Sequence, residues 1–302
     1  MLPPGLRVLE RGWLSSNNIL VRGRQGTALV DSGYGLHAPQ TLALVQSALA
    51  GQPLDLLVNT HLHSDHCGGN AALQAAYPAL QTWIPPGHAQ AVRDWDAQAL
   101  TYAPTGQTCP RFDWTATLQP GSEVLLGDLR WQVHAAPGHD PHSVILFEPE
   151  SRVLLSADAL WERGFGVVFP ELDGQDAFDD VALTLDVIAA LKPALVIPGH
   201  GAPFTDVAPA LAFARQRLAG FVANPVKHRL YAAKVLLKFK LLELQQVEVA
   251  ALTAWAASTP YLASLLEHQF AGRDIADSVE FLVQDLLRSG AATRRGTWVL
   301  NA

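Results

Sequence analysis

Residues 61–66 read HLHSDH and bring His61, His63, Asp65 and His66 within six positions. Neutral imidazoles and a carboxylate are what zinc accepts as ligands, at about 2.0–2.2 Å. The run LDLLVNT just before them reads as a buried strand, so the rings at i and i+2 can converge on one point beside its end. Asp65 and His66 continue round the turn and can face a second point a few ångströms away. Three further candidates stand in matching places: His139 in APGHD, Asp158 in LLSAD and His200 in IPGHG. Each follows an apolar, strand-like run, where a buried sheet opens to a cleft. A His-rich surface loop would explain residues 61–66 alone, and a lone His at a strand end is more often structural. Three more candidates in the same context point instead to a metal centre.

These strand ends need a framework. The chain has 302 residues, 49% apolar and 16% charged, enough for a sizeable core and unlike a disordered chain. Strand patterns occupy 6–9, 18–21, 27–31, 54–60, 81–84, 123–126, 129–135, 143–147, 152–157 and 194–197. Helical patterns lie between them at 39–50, 70–77, 87–100 and 176–191, with 101–120 irregular. This alternation predicts an α/β sandwich. From residue 207 to 290 the pattern is helical, and 288–300 reads as a hairpin turning at 294–296. The charge also changes: residues 1–226 hold 12 Lys/Arg against 21 Asp/Glu, and 227–302 hold 9 against 7, within a net −7. That total argues against a general polyanion binder. Two cysteines, Cys67 and Cys109, are too few for a disulfide scaffold or an all-cysteine zinc site. The opening residues do not read as a secretory signal, and no apolar run approaches the ~20 residues of a membrane span. The expectation is a cytoplasmic protein.

Asp31 in VDSG, the His61–His66 motif, His139, Asp158 and His200 reproduce in order the five motifs of the metallo-β-lactamase superfamily, which residues 5–205 resemble. The resemblance implies an αββα sandwich with metals at one edge. It implies that His61, His63 and His139 hold one divalent ion and that Asp65, His66 and His200 hold another. Asp158 would bridge them, and Asp31 would orient a ligand. Two such ions, zinc with iron or manganese as alternatives, lower the pKa of a bridging water and stabilise a developing oxyanion. The ligands are similar to those of a glyoxalase II-like dinuclear site. True β-lactamases carry Ser or Cys where Asp158 stands, and flavo-diiron proteins carry Glu where His63 stands.

The resemblance divides the chain into a catalytic domain (1–206), a helical linker (207–226) and a winged-helix-like domain (227–302). The last resembles the tail of the β-lactamase-like protein 2 group, some of whose members cleave single-stranded RNA while others resemble thioesterases. The expected function is hydrolysis of a small ester or thioester by a metal-bridging hydroxide. A phosphodiesterase or endoribonuclease on single-stranded RNA is the alternative, using Lys234, Lys238, Lys240, Arg294 and Arg295 for phosphates; these are equally read as a solvated face. A non-catalytic, metal-stabilised binding protein is a third reading. Asp65 and His142 are candidates for proton transfer. His142 is also readable as a partner of a ligand or as a surface histidine. Trp161, Phe165 and Phe169 line a pocket or form plain core, and Arg163 is a candidate for a substrate anion. His37, His88, His134, His228 and His268 have no ligand context. Cys67, beside His66, is read as neither nucleophile nor ligand.

Overall fold

The computed structural model describes residues 2–302. Strands β1 (Leu6–Leu9), β2 (Asn18–Gly23), β3 (Gly26–Val30), β4 (Leu56–Val58), β5 (Gln81–Ile84) and β6 (Ala116–Thr117) form one sheet in that order. The first three pair antiparallel, and β3 to β6 run parallel. Strands β7 (Glu123–Leu126), β8 (Leu129–Ala135), β9 (Val144–Glu148), β10 (Val153–Ala157) and β11 (Leu195–Pro198) form a second sheet, ordered β11-β10-β9-β8-β7. Only β10 and β11 pair parallel in it.

The period of two along each strand sorts its side chains between two faces. On β2, Ile19 and Val21 join Val30, Val58, Val133, Leu146, Leu155 and Ile197 in a core between the sheets. Leu20 of the same strand faces outward. The helices that follow in the chain are α1 (Ala38–Leu49), α2 (Ser64–Cys67), α3 (Asn70–Ala76), α4 (Ala89–Asp94), α5 (Tyr102–Thr105), α6 (Phe169–Leu172), α7 (Ala177–Leu191) and α8 (Val207–Ala223). Leu20, Leu29 and Leu57 pack against Val45 and Leu49 of α1 and Leu73 of α3. Every residue of β9 and β10 is buried, as in strands covered on both faces. Helix α7 turns Phe178, Val181, Leu185 and Ile188 inward. The result is the expected αββα sandwich. Two elements are shorter than their patterns: the strand expected over 54–60 is only β4, and the helix expected over 87–100 is only α4, because Trp95 takes φ 57° and closes it.

The chain divides into two compact units. One runs to Leu100 and resumes over Thr108–Ala219; the other combines Thr101–Gln107 with Gly220–Ala302. The division falls inside α8. The second unit contains α9 (Pro225–Leu244), β12 (Gln246–Glu248), α10 (Val249–Ser258), α11 (Pro260–Gln269), α12 (Ile275–Arg288), β13 (Ala292–Arg295) and β14 (Trp298–Asn301). Strand β12 has no strand pattern of its own, and pairing makes it one: Val247 sits opposite Val299 of β14. In the β13–β14 hairpin Arg295 pairs with Trp298, so the turn is at 296–297, with Gly296 at φ 59°. Among the described residues no single helix is long and apolar enough to cross a membrane.

Candidate metal centre

All seven candidate ligands lie on segments that follow strands in the first unit. Parallel strand β4 lies between β3 and β5 and runs out through Asn59 and Thr60 to His61. His63 stands in extended conformation immediately before α2, and that single turn carries Asp65 and His66. His139 lies on the β8–β9 connection, Asp158 follows β10, and His200 follows β11. Two glycines permit this crowding. A Cβ on Gly199 would meet Asp158 Oδ1 at 2.2 Å, and one on Gly166 would meet His139 Nδ1 at 2.4 Å.

The side chains form two groups, each with its ligand atoms mutually within 4.8 Å: His61, His63 and His139, and Asp65, His66, Asp158 and His200. In the first, His61 Nε2 is 3.1 Å from His63 Nδ1, which is 2.8 Å from His139 Nε2. In the second, His200 Nε2 is 3.1 Å from Asp65 Oδ2, and His66 Nε2 is 3.4 Å from Asp158 Oδ1. Asp158 faces both groups, because its Oδ2 is also 3.4 Å from His139 Nε2.

The outward nitrogens indicate what the inward ones offer. Thr60 Oγ1 donates to Asp31 Oδ2 at 2.8 Å, so it can only accept from His61 Nδ1, 3.2 Å away. His139 Nδ1 donates to the carbonyl of Val167 at 2.6 Å. His61 and His139 therefore turn lone pairs inward. His66 Nδ1 donates to Asp31 Oδ2 at 2.8 Å, and its Nε2, wholly buried, has no hydrogen-bond partner among the described residues. Converging lone pairs, carboxylates and an orphaned buried nitrogen are a donor set that suits a pair of divalent cations.

Electrostatics separates the two groups. Burial pushes the His61 pKa well below the ordinary histidine value, and neighbouring His66, His63 and His139 push it further. His63 falls to about 4, again chiefly through burial. His66 moves the other way: burial opposes its charge, but Asp158, Asp31 and Asp65 outweigh it and raise the pKa well above the usual value. Burial also disfavours the charged forms of Asp158 and Asp65, yet histidines hold both low. His200 and His66 act on Asp158, and His66 and His200 on Asp65. In the metal-free chain a proton on His66 thus supplies positive charge among three carboxylates.

Asp31 lies where its motif predicts, at φ 57°, and receives Thr60 N, the Thr60 hydroxyl and His66. His142 joins neither group: its ring stands edge-on to His88 at 4.5 Å and lines a pocket of about 280 Å³ with Gly87 and Pro120. The Cys67 thiol turns to the carbonyls of Leu62 and His63. Phe165 is buried, whereas Trp161 donates to Asp158 Oδ1 at 3.3 Å and Phe169 stands 5.3 Å from the His63 ring. Sequence reasoning missed Trp13. It is 55% exposed and stacks on His200 at 5.4 Å, and no spacing rule links residues so far apart. It also missed Asp140, which a polar residue directly after a candidate ligand could have signalled. Asp140 is buried, with Oδ2 3.8 Å from His63 Nε2.

The model of the metallo-beta-lactamase superfamily matches residues 11–200. The chain is 27% identical over 216 residues to acyl-coenzyme A thioesterase MBLAC2 of Gallus gallus, covering 64% of this chain and 76% of that one. It is 34% identical over 199 residues to a hydroxyacylglutathione hydrolase of Anaeromyxobacter dehalogenans (strain 2CP-C), covering 64% and 66%. A solved metallo-beta-lactamase family protein from Thermus thermophilus has the same fold, with a TM-score of 0.62 at 21% identity over 100% of both chains.

Proposed function

This chain belongs to the metallo-beta-lactamase superfamily and is a hydrolase, and we propose that it is a dinuclear metal-dependent thioesterase. The observation that carries this reading is the pair of ligand groups with Asp158 facing both. His61, His63 and His139 would hold one divalent cation, zinc in our reading, and Asp65, His66 and His200 the other. Bound there, two such cations supply a water acidic enough to ionise near neutral pH and positive charge for the oxyanion of acyl transfer. The residues of the chain do the rest. Thr60, the Val167 carbonyl and Asp31 hold three rings in the tautomers that point lone pairs inward. Trp161 fixes one oxygen of Asp158. We assign proton transfer to the leaving group to Asp65 ahead of His142, whose ring faces His88.

The substrate class follows from chemistry and kinship together. A thiolate leaving group needs little protonation, and both named relatives act on thioesters. Supporting small acyl substrates over RNA, four of the five basic side chains suggested for phosphate binding are engaged within their own unit. Lys234 pairs with Asp285, Lys240 with Glu243 and Arg294 with Glu280, while Lys238 bonds to Ala291 and Asn301. The test is a parallel screen of the metal-loaded protein with acyl-coenzyme A thioesters, acylglutathione thioesters and a phosphodiester. Turnover of thioesters alone supports the reading. Turnover of the phosphodiester alone favours the nuclease, and none at all, with both ions bound, favours a binding protein.

A further inference from the structure

His63 can be held in either of two tautomers, and only one leaves the first group open to a cation. Its Nδ1 lies 2.8 Å from His139 Nε2, which must carry a lone pair because His139 Nδ1 donates to Val167. With its proton on Nδ1, His63 would donate to His139 and occupy both lone pairs at once. With its proton on Nε2, His63 offers Nδ1 as a ligand. Among the described residues no hydroxyl or carbonyl takes the outward nitrogen here, as Thr60 and Val167 do for the other two rings. The group facing His63 Nε2 is the carboxylate of Asp140, at 3.8 Å. Its other oxygen, Oδ1, is pinned by the backbone N–H of His142 at 2.8 Å, and its backbone carbonyl receives the Ser143 hydroxyl at 3.0 Å. The side chain is 5% exposed, so water does not weaken its pull.

We propose that Asp140 is a positioning residue that draws the His63 proton to Nε2 and so keeps Nδ1 free for the first metal ion. A charge-assisted bond to a carboxylate is about twice as strong as a bond between neutral groups. A tilt of the ring by about 1 Å brings Nε2 within hydrogen-bond reach of Asp140. The role rests on the metal-centre reading above and extends it to a residue outside the seven ligands.

The test is Asp140→Asn in the full chain. Asn keeps an oxygen for the His142 N–H and so preserves the turn, but it presents an amide to His63 where the carboxylate stood. Two readouts apply. In the metal-free protein, ring ¹H–¹⁵N correlations should show His63 protonated on Nε2 in the wild type and on Nδ1 in the variant. In zinc titrations against a competing chelator, the wild type should take two ions. The variant should lose about 10–100-fold in affinity for one of them and keep the other. Unchanged thermal unfolding of the metal-free variant would exclude a merely structural role. A variant with the wild-type tautomer and both affinities intact overturns the proposal while leaving the dinuclear reading in place. A wild type that holds no zinc overturns both.

Discussion

The acids at the candidate metal centre and the acids of the second unit face different partners. In the first unit Asp31 and Asp158 are buried and Asp65 is half-buried, and among the described residues their ion pairs are with histidines alone. In the second, acids and bases pair off. Asp285 takes Lys234 and Arg288, Glu243 takes Lys240, and Glu280 takes Arg294. Those pairs are partly exposed and each contributes about 0.2–1 kcal/mol. The first arrangement is incomplete without added positive charge, whereas in the second each of these acids already meets a base. The net −7 thus averages a unit whose central acids face histidines and one in which Asp285, Glu243 and Glu280 face bases.

The largest break in this contrast should come from Asp158→Ala. Losing the one group that faces both ligand sets should lower kcat/KM for a thioester by about a thousandfold, the several kcal/mol that metal-ion catalysis supplies. Wild-type turnover in that variant would refute the assignment. Chelation should come next. If the ions are present at about 100–1,000 times their dissociation constants, removing them should cost the first unit about 2.7–4.1 kcal/mol. A calorimetric scan should show that loss in one transition and leave the other in place.

The pH dependence of the chelated protein sharpens the same difference. His61 and His63 titrate below the ordinary histidine value when folded, so their contribution is lost as the pH falls from about 6.5 toward 4. His66 titrates above it, so its contribution is complete below about 6.5 and is lost as the pH rises through its folded pKa. The metal-free first unit should therefore be most stable near pH 6.5. Restored zinc should remove the alkaline decline, because cations replace the His66 proton. In the second unit Glu280 is held low by its bonds to Gln284 and Arg294, and Asp285 by Lys234 and Arg288. Its stability should decline only in acid, below the ordinary carboxylate range. Thermal midpoints across pH 4–9, with and without zinc, decide this. The smallest effect should come from Lys234→Met, about 0.2–1 kcal/mol of stability in the second unit with thioester turnover unchanged. If RNA binding and its salt dependence fell in that variant, the self-contained picture of this unit would be wrong.

Much of the architecture is legible in local pattern. A short apolar, β-branched run predicts β2, alternating apolar residues predict β8, and Ala/Leu spacing predicts α7 and α9. The three expected strand ends do carry His139, Asp158 and His200. The failures are also physical. Local period runs on through Trp95, but a left-handed backbone ends α4 there. Gln246–Glu248 holds one apolar residue and becomes a strand only because β14 lies beside it.

The sequence alone offered seven side chains of the types that bind metal and set them after apolar, strand-like runs, since residue type and a period of two or 3.6 are local properties. Only the tertiary structure decided how the seven divide, that Asp158 faces both groups, and which nitrogen of each ring points inward. That choice depends on where the proton of each imidazole is held. Its partners are Val167, 28 residues from His139, Asp31, 35 residues from His66, and Asp140, brought to His63 from the far sheet. A hydrogen bond is fixed by distance and angle in space, and contacts between chain-distant residues leave no period along the chain to read.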